Sequence, residues 1–404
     1  MLRLLRTPLL LVALLVALPG AAADTHPFSI HDMLAMDRIS DVQLSPDGTQ
    51  AAFVLRTTDL AANRGRTDLW LLDVRSKGVR RLTTHEAADS SPRWAADGKS
   101  LYFLSTRGGS QQVWRISLAG GEAEKVTAEP LDVDNLEVAP GGKLLVLSME
   151  VFPGNSPAET KKALEEKETV KSSGMLYDRL FVRHWDTWKD GRRNHVFVLP
   201  LGADGKAAGA AKDLMPAMDA DAPPKPFGGL DDAAISPDGK TLVFTCKDVG
   251  REEAWSTNYD LWEVPTDGSA APKRITTNPA WDSTPRFSPD GKTLAYAAMS
   301  RPGYEADRFE IVFRDLATGK DRSFTLRAGP GKNDDRSPAS LTWSADGKAL
   351  LATADHLGQK ALFAMEAATG KTRSERTGSS SRAIRSSDRP RSTPCPSRAG
   401  RTRS

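Results

Sequence analysis

A four-residue turn recurs six times along this chain, and its spacing limits the available folds more than any other feature. The copies are Ser45-Pro46-Asp47-Gly48, Ala95-Ala96-Asp97-Gly98, Ala139-Pro140-Gly141-Gly142, Ser236-Pro237-Asp238-Gly239, Ser288-Pro289-Asp290-Gly291 and Ser344-Ala345-Asp346-Gly347. Their glycines step by 50, 44, 97, 52 and 56 residues. The residue types suit a type I turn: Ser or Ala opens it, Pro presets φ at the second position, Asp tolerates the third and Gly closes it. A period near 50 residues marks an array of supersecondary units.

Two further elements keep a fixed order behind each turn. Short apolar strands follow at once, as in Leu101-Tyr102-Phe103-Leu104, Leu242-Val243-Phe244 and Leu294-Ala295-Tyr296. Continuous apolar runs of this kind suit strands covered on both faces. A second strand then reads Asp68-Leu69-Trp70-Leu71, Gln112-Val113-Trp114-Arg115 or Asp260-Leu261-Trp262-Glu263, with Ile311-Val312-Phe313 and Ala361-Leu362-Phe363 in the last two units. Several units close on Arg81-Leu82-Thr83, Lys125-Val126-Thr127 or Arg274-Ile275-Thr276. Radial repetition of four-stranded units is the β-propeller solution to exposed sheet edges. The expected fold is therefore all-β, a propeller of the seven-bladed type with a short helical insertion. The count takes six anchored turns plus one degenerate blade between Gly142 and Gly239. The last blade is expected to be incomplete, because Thr372-Arg373-Ser374 replaces its closing element.

The two ends differ from this body. Arg3 and Arg6, an apolar run from Leu9 to Leu18 and the small residues Ala21-Ala22-Ala23 read as a signal peptide over residues 1–23. Ten apolar residues are too few to span a bilayer, which takes about 20, so no membrane anchor is expected after cleavage and the mature chain is placed in the periplasm or outside the cell. Residues 374–404 hold eight Arg and nine Ser with Ile384 as the only large aliphatic, a composition that cannot bury a core. This tail reads as a disordered Arg/Ser-rich segment, either natural or translated out of frame. The whole chain carries +3, but residues 24–373 carry −5 once these ends are set aside. An acidic body argues against nucleic acid as a partner.

The propeller domain is assigned to residues 24–373, with an insertion at 151–194 that leaves the blade pattern. Its first part, from Ser156-Pro157-Ala158-Glu159 to Lys171, has a capping box, Pro in the first helical position and the pairs Lys161 with Glu165 and Lys162 with Glu166. Only Ala163, Leu164 and Val170 are apolar there, so a solvated helix is expected. The second part crowds two cations, an imidazole, two indoles and two carboxylates into Arg183-His184-Trp185-Asp186-Thr187-Trp188-Lys189-Asp190-Gly191. One reading puts Arg183, His184 and Asp186 at the mouth of a cavity, bound to the charged ends of a small peptide, with Trp185 and Trp188 beside them. The other makes the two indoles packing residues and Arg183 with Asp186 a local ion pair.

These motifs, above all the stretch from Arg183 to Gly191, resemble the propeller of secreted bacterial dipeptidyl-peptidases and acylaminoacyl-peptidases of the prolyl oligopeptidase family. The resemblance runs from about residue 28 to residue 373. It implies a serine peptidase acting on short peptides, whose propeller screens access to an α/β-hydrolase domain carrying a Ser, Asp, His triad with the Ser in G-x-S-x-G. No G-x-S-x-G occurs in these 404 residues, so the catalytic domain is expected to be missing, the chain inactive alone, and that domain its natural partner beside short peptides.

Other chemistries find no support in the sequence. His85-Glu86 is not followed by a second His at ligand spacing, and Cys246 and Cys395 form no ligand pair, so neither metal nor cofactor is expected. Gly108-Gly109, Gly120-Gly121 and Gly228-Gly229 lack the lysine and helix start of a phosphate loop. The competing function is a TolB-like periplasmic propeller acting as a protein-binding scaffold. Against it, only about twenty residues separate Asp24 from the first turn, where such proteins carry a separate α/β domain.

Overall fold

The computed structural model describes residues 26–375 except 181, 227 and 328–335. The expected signal peptide lies outside the described residues, as does the tail from residue 376 onward.

Each turn forms as its residue types dictate. In Ser288-Pro289-Asp290-Gly291 the Gly291 N–H donates to Ser288 O (2.9 Å), the Ser288 hydroxyl donates to Asp290 Oδ1 (2.6 Å), and Thr293 N–H donates back to Ser288 Oγ (2.9 Å). The same bonds recur at Ser45, Ser236 and Ser344. Gly48, Gly98, Gly142, Gly239, Gly291 and Gly347 all sit at positive φ, which is why glycine closes every copy.

Every turn joins the innermost two strands of a four-stranded antiparallel sheet. Sheet one holds β1 (Arg38–Leu44), β2 (Gln50–Asp59), β3 (Arg64–Asp73) and β4 (Val79–Arg81), preceded by α1 (Ile30–Ala35). Sheet two holds β5 (Asp89–Trp94), β6 (Ser100–Gly108), β7 (Ser110–Ser117) and β8 (Glu124–Lys125). In sheet three, β9 (Asn135–Val138) and β10 (Leu144–Val151) are followed by an insertion with α2 (Pro157–Glu168), β11 (Arg183–His184) and β12 (Thr187–Trp188). The sheet then resumes with β13 (Arg193–Pro200) and β14 (Lys212–Asp213). Sheet four is β15 (Ala233–Ile235), β16 (Thr241–Cys246), β17 (Asp260–Pro265) and β18 (Lys273–Arg274). Sheet five is β19 (Asp282–Phe287), β20 (Thr293–Ala298), β21 (Glu310–Asp315) and β22 (Asp321–Phe324). Sheet six is β23 (Ser340–Trp343), β24 (Ala349–His356), β25 (Gln359–Glu366) and β26 (Thr372–Glu375).

The propeller therefore has six blades, and the expectation of seven is corrected. No blade has lost its turn: the 97-residue step between Gly142 and Gly239 is one blade whose second and third strands, β10 and β13, are separated by the insertion. The last blade is also complete, since Thr372 to Glu375 pairs with Met365 to Leu362. An outermost strand needs backbone partners on one side only and no buried side chains. β4, β8 and β18 are wholly exposed, so a fourth strand need carry no apolar pattern of its own.

The closing motif has a defined job. In blade four Thr276 Oγ1 accepts from Leu261 N–H (2.9 Å) and Arg274 reaches Asp260 (3.3 Å); in blade one Thr83 accepts from Leu69 N–H (3.0 Å) and Arg81 reaches Asp68 (2.7 Å). Blade two substitutes Gln112, which accepts from Thr127 Oγ1 at 2.7 Å. The Asp-Leu-Trp strand and the Arg-x-Thr closure are thus one hydrogen-bonded unit.

Neighbouring blades bury five apolar clusters, one for each consecutive interface. Val54 and Leu69 meet Leu101 and Phe103; Tyr102 and Leu104 meet Leu145 and Leu147; Val146 and Val198 meet Leu242 and Phe244; Val243 and Leu261 meet Leu294 and Tyr296; Ile311 and Phe313 meet Leu350 and Phe363. Full burial of each such side chain is worth ~1.5–3 kcal/mol. Among the described residues no comparable cluster joins blade six to blade one, and β1 keeps Ile39, Val42 and Leu44 about 60% exposed.

The residue two places ahead of each turn faces the axis. Gln43, Arg93, Glu137, Ala234, Arg286 and Thr342, one per blade, all line an axial cavity of about 720 Å³. In blades one, two and five a bulge precedes that position, with Asp41, Ser91 and Thr284 at φ near +50°. One place nearer the turn, Trp94 Nε1 donates to Gln43 O and Trp343 Nε1 to Arg286 O, tying each indole to the preceding blade.

Candidate functional site

Each turn hands the chain from the first to the second strand of its blade, and the insertion leaves blade three at the far end of that second strand. It is therefore carried on the face opposite the turns. Ser156 caps α2 as the sequence predicts: Glu159 N–H donates to Ser156 Oγ (3.2 Å) and Ser156 N–H to Glu159 Oε2 (2.8 Å). The helix is solvated, as expected from its few apolar residues. Its one buried residue is Thr160, whose hydroxyl accepts from Phe152 N–H and fastens the helix to the end of β10.

The Arg183 to Trp188 stretch is a minimal hairpin. Arg183 pairs with Trp188 and His184 with Thr187, leaving Trp185 and Asp186 at the tip, with Trp185 at φ +48°. The Arg183 guanidinium lies 5.4 Å from the Trp188 ring centroid, the Tyr177 ring stacks with Trp188 at 6.1 Å, and His184 meets Trp185 at 5.0 Å. Tyr177 donates its hydroxyl to Lys189 O at 2.9 Å. Both indoles are more than half exposed, so they form an open aromatic and cationic platform rather than a packed core.

Next to the hairpin is a cavity of about 420 Å³ lined by Tyr177, Arg179, Leu180, Lys189, Arg193 and Glu253, among others. Arg183, His184, Trp185, Asp186 and Trp188 do not line it. The structure brings the five sequence-derived residues together on one hairpin and sets them beside the cavity. Lys189, Asp190 and Gly191, from the end of the stretch singled out in the sequence, do line it, whereas Arg193 and Glu253 were missed because their pairing, with Asp219 and Asp221, joins segments far apart in the chain.

Charge organises that wall. Arg193, at the start of β13 and only 6% exposed in its side chain, donates from Nε to Asp219 (2.9 Å), from Nη1 to Asp221 (2.9 Å) and Glu253 Oε1 (2.8 Å), and from Nη2 to Glu253 Oε2 (2.9 Å). Lys189 adds a bond to Glu253 (2.7 Å) and Arg179 one to Asp219 (2.6 Å). Burial works against the Glu253 charge, yet the hydrogen bonds from Arg193 and Lys189 outweigh it and hold its pKa near 2. Burial likewise pushes the Lys189 amine below its ordinary range. The insertion is thus pinned to blade four through a bidentate arginine. Among the described residues no group of three His, Cys, Asp or Glu side chains is arranged to hold a metal.

Comparison with known proteins agrees with this architecture. The TolB beta propeller domain family matches residues 40–176. The chain is 28% identical to dipeptidyl-peptidase 5 of Porphyromonas gingivalis over 357 residues, 88% of this chain and 50% of that protein. It is 30% identical to dipeptidyl-peptidase 5 of Aspergillus fumigatus over 378 residues, 87% of this chain and 50% of that protein. The sequence is that of a peptidase-family propeller portion. This peptidase-family propeller spans about half the length of the curated relatives it matches. Its fold is also that of the acylaminoacyl peptidase of Pyrococcus horikoshii, with a TM-score of 0.57 at 14% identity, covering 86% of this chain and 47% of that one.

Proposed function

We propose that this chain is the substrate-screening propeller of an exported serine exopeptidase, of the dipeptidyl-peptidase or acylaminoacyl-peptidase kind, that acts on short peptides. The carrying observation is the identity to dipeptidyl-peptidase 5 proteins, which extends over 87–88% of the chain. The insertion supports the same reading: the hairpin residues Arg183, His184, Trp185, Asp186 and Trp188 offer an indole face, a cation and a carboxylate to a peptide entering on that side. In this reading bond cleavage belongs to an α/β-hydrolase portion outside these 404 residues, because an oriented base beside a nucleophile is required for the chemistry. The leader-like composition of residues 1–23 supports export to the periplasm or beyond the cell, which cell fractionation would test.

The experiment is a titration of the purified 404-residue chain with short peptides, followed by indole fluorescence, alongside a dipeptidyl chromogenic assay. Saturable peptide binding with only background hydrolysis is expected. Absence of binding by any short peptide would remove this reading and leave the scaffold alternative, which the TolB beta propeller domain match over residues 40–176 favours.

A further inference from the structure

Arg93 and Arg286 occupy the same place in two blades, two residues ahead of the turn, and both line the axial cavity. Their charges are handled differently. Arg93 is closed by carboxylates: Nη1 meets Asp41 at 2.9 and 3.0 Å and Nε is bound by Glu137, with Pro92 O accepting a further bond. It ties blades one, two and three together. Arg286 ties blades four, five and six, but only through carbonyls. Nε donates to Leu341 O (3.1 Å) and Nη1 to Asp231 O and Pro285 O (2.7 Å each).

Among the described residues no carboxylate stands within ion-pair distance of Arg286, and its Nη2 donates to none of them. The carboxylates of Asp231, Asp232 and Glu137 act on this partly buried guanidinium only from beyond ion-pair distance, and burial outweighs them and lowers its pKa. The three carbonyl bonds take the Nε–H and both Nη1–H groups and fix the plane of the guanidinium, which leaves the two N–H groups of Nη2 to donate to an acceptor in the cavity.

We propose that Arg286 is a carboxylate-binding post in the axial cavity, and that its ligand is the free C-terminal carboxylate of a short peptide. The cavity's 720 Å³ falls within the size range of small-ligand sites. Asp231 lies on the same wall and its side chain is exposed. A carboxylate there disfavours a bare dianion such as phosphate but suits a ligand that carries one carboxylate and an ammonium group. A short unblocked peptide carries both. This inference rests on the short-peptide reading above and adds to it which end of the peptide is held and where.

The test is calorimetric titration of the full 404-residue chain with Ala-Ala-Ala as free acid, the same tripeptide as its C-terminal amide, and acetate alone. The free acid is expected to bind at least tenfold more tightly than the amide. Arg286→Gln is expected to remove that difference, and Arg286→Lys, which keeps the charge without the fork, to retain part of it. Equal binding of acid and amide would overturn the proposal while leaving the short-peptide reading intact. Binding of acetate with neither peptide, or of no ligand at all, would overturn both. If Arg286→Gln does not fold, the acid and amide contrast on the unmodified chain, with Arg286→Lys, still decides.

Discussion

Arg193 lays the fork of its guanidinium across the carboxylate of Glu253, one nitrogen to each oxygen at 2.8 and 2.9 Å, and so joins the third blade to the fourth beneath the insertion. Asp219, Asp221 and Lys189 complete the network, so removing the arginine leaves three carboxylates facing one another in a half-closed site. Breaking such a pair from one side costs ~3–5 kcal/mol. Arg193→Ala should lower stability by that amount in urea titration and speed proteolysis within residues 171–190, which Lys189 otherwise fastens to Glu253. A loss below about 1 kcal/mol would mean that the network is solvated and contributes little.

The same network sets the acid limb of stability. Glu253 has a folded pKa near 2 against 4.5 for the free side chain. Its contribution is therefore fully present above pH 4.5 and is lost as pH falls toward 2. One pKa unit corresponds to ~1.4 kcal/mol, which makes the full effect ~3 kcal/mol. Melting temperature measured from pH 6 down to pH 2.5 should fall steeply in the parent protein. In Glu253→Gln it should start lower and fall by less; parallel curves would refute the assignment.

Asp282 acts in the opposite direction. It is fully buried at the start of β19, Oδ1 accepts from Asn278 at 2.8 Å, and Oδ2 has no partner. Burial pushes its pKa up to about 7. The folded protein then holds a proton between pH 4 and pH 7 that the unfolded chain has released, so this residue favours folding as pH falls through 7 and penalises it above. Asp282→Asn should raise stability at pH 8 by at least ~1 kcal/mol and change it little at pH 5. A destabilisation that is equal at both values would show that the carboxyl is needed for its geometry alone.

The turn copies allow a comparison internal to the molecule. Ser288 Oγ donates to Asp290 and accepts from Thr293 N–H, whereas blades two and three have Ala95 and Ala139 at the same place. Because two blades already form the turn without the hydroxyl, Ser288→Ala should cost no more than a hydrogen bond, ~0.5–1.5 kcal/mol, in denaturant titration. Gly291→Ala should cost more, since the position requires positive φ. The reverse order would remove the backbone explanation of the repeat.

The contrast between turns and blade count shows what a single sequence carries. Ser, Pro, Asp and Gly at fixed offsets encode backbone angles locally, so six turns were legible and six blades exist. The seventh was an arithmetic inference from a 97-residue step, and periodicity cannot tell a missing signature from an insertion between β10 and β13. The closing strand was legible in blades one, two and four, where Arg81, Lys125 and Arg274 precede a Leu, Val or Ile and a Thr, and escaped in blade six, where Thr372-Arg373-Ser374 carries no such signature. The axial ring was recoverable, since Gln43, Arg93, Glu137, Ala234, Arg286 and Thr342 all stand two residues ahead of a turn. Arg193 was not: Asp219 and Asp221 lie 26 and 28 residues away and Glu253 lies 60, distances that only the fold closes.

The exposed hairpin gives the sharpest separation of binding from folding. Trp188 is 54% exposed, with Arg183 over its ring and Tyr177 stacked beside it. Truncating it removes a cation–π contact worth ~0.5–1 kcal/mol at an exposed site and little buried area. Trp188→Ala should therefore leave the melting temperature within about 2 °C of the parent, as expected for so small a change in a chain of this size. If the hairpin meets substrate, the same variant should weaken short-peptide binding at least fivefold, since exposed aromatics gathered on one tip contribute most to binding when a ligand covers them. Unchanged binding with unchanged stability would make the hairpin a bystander and move the peptide contact to the axial cavity alone.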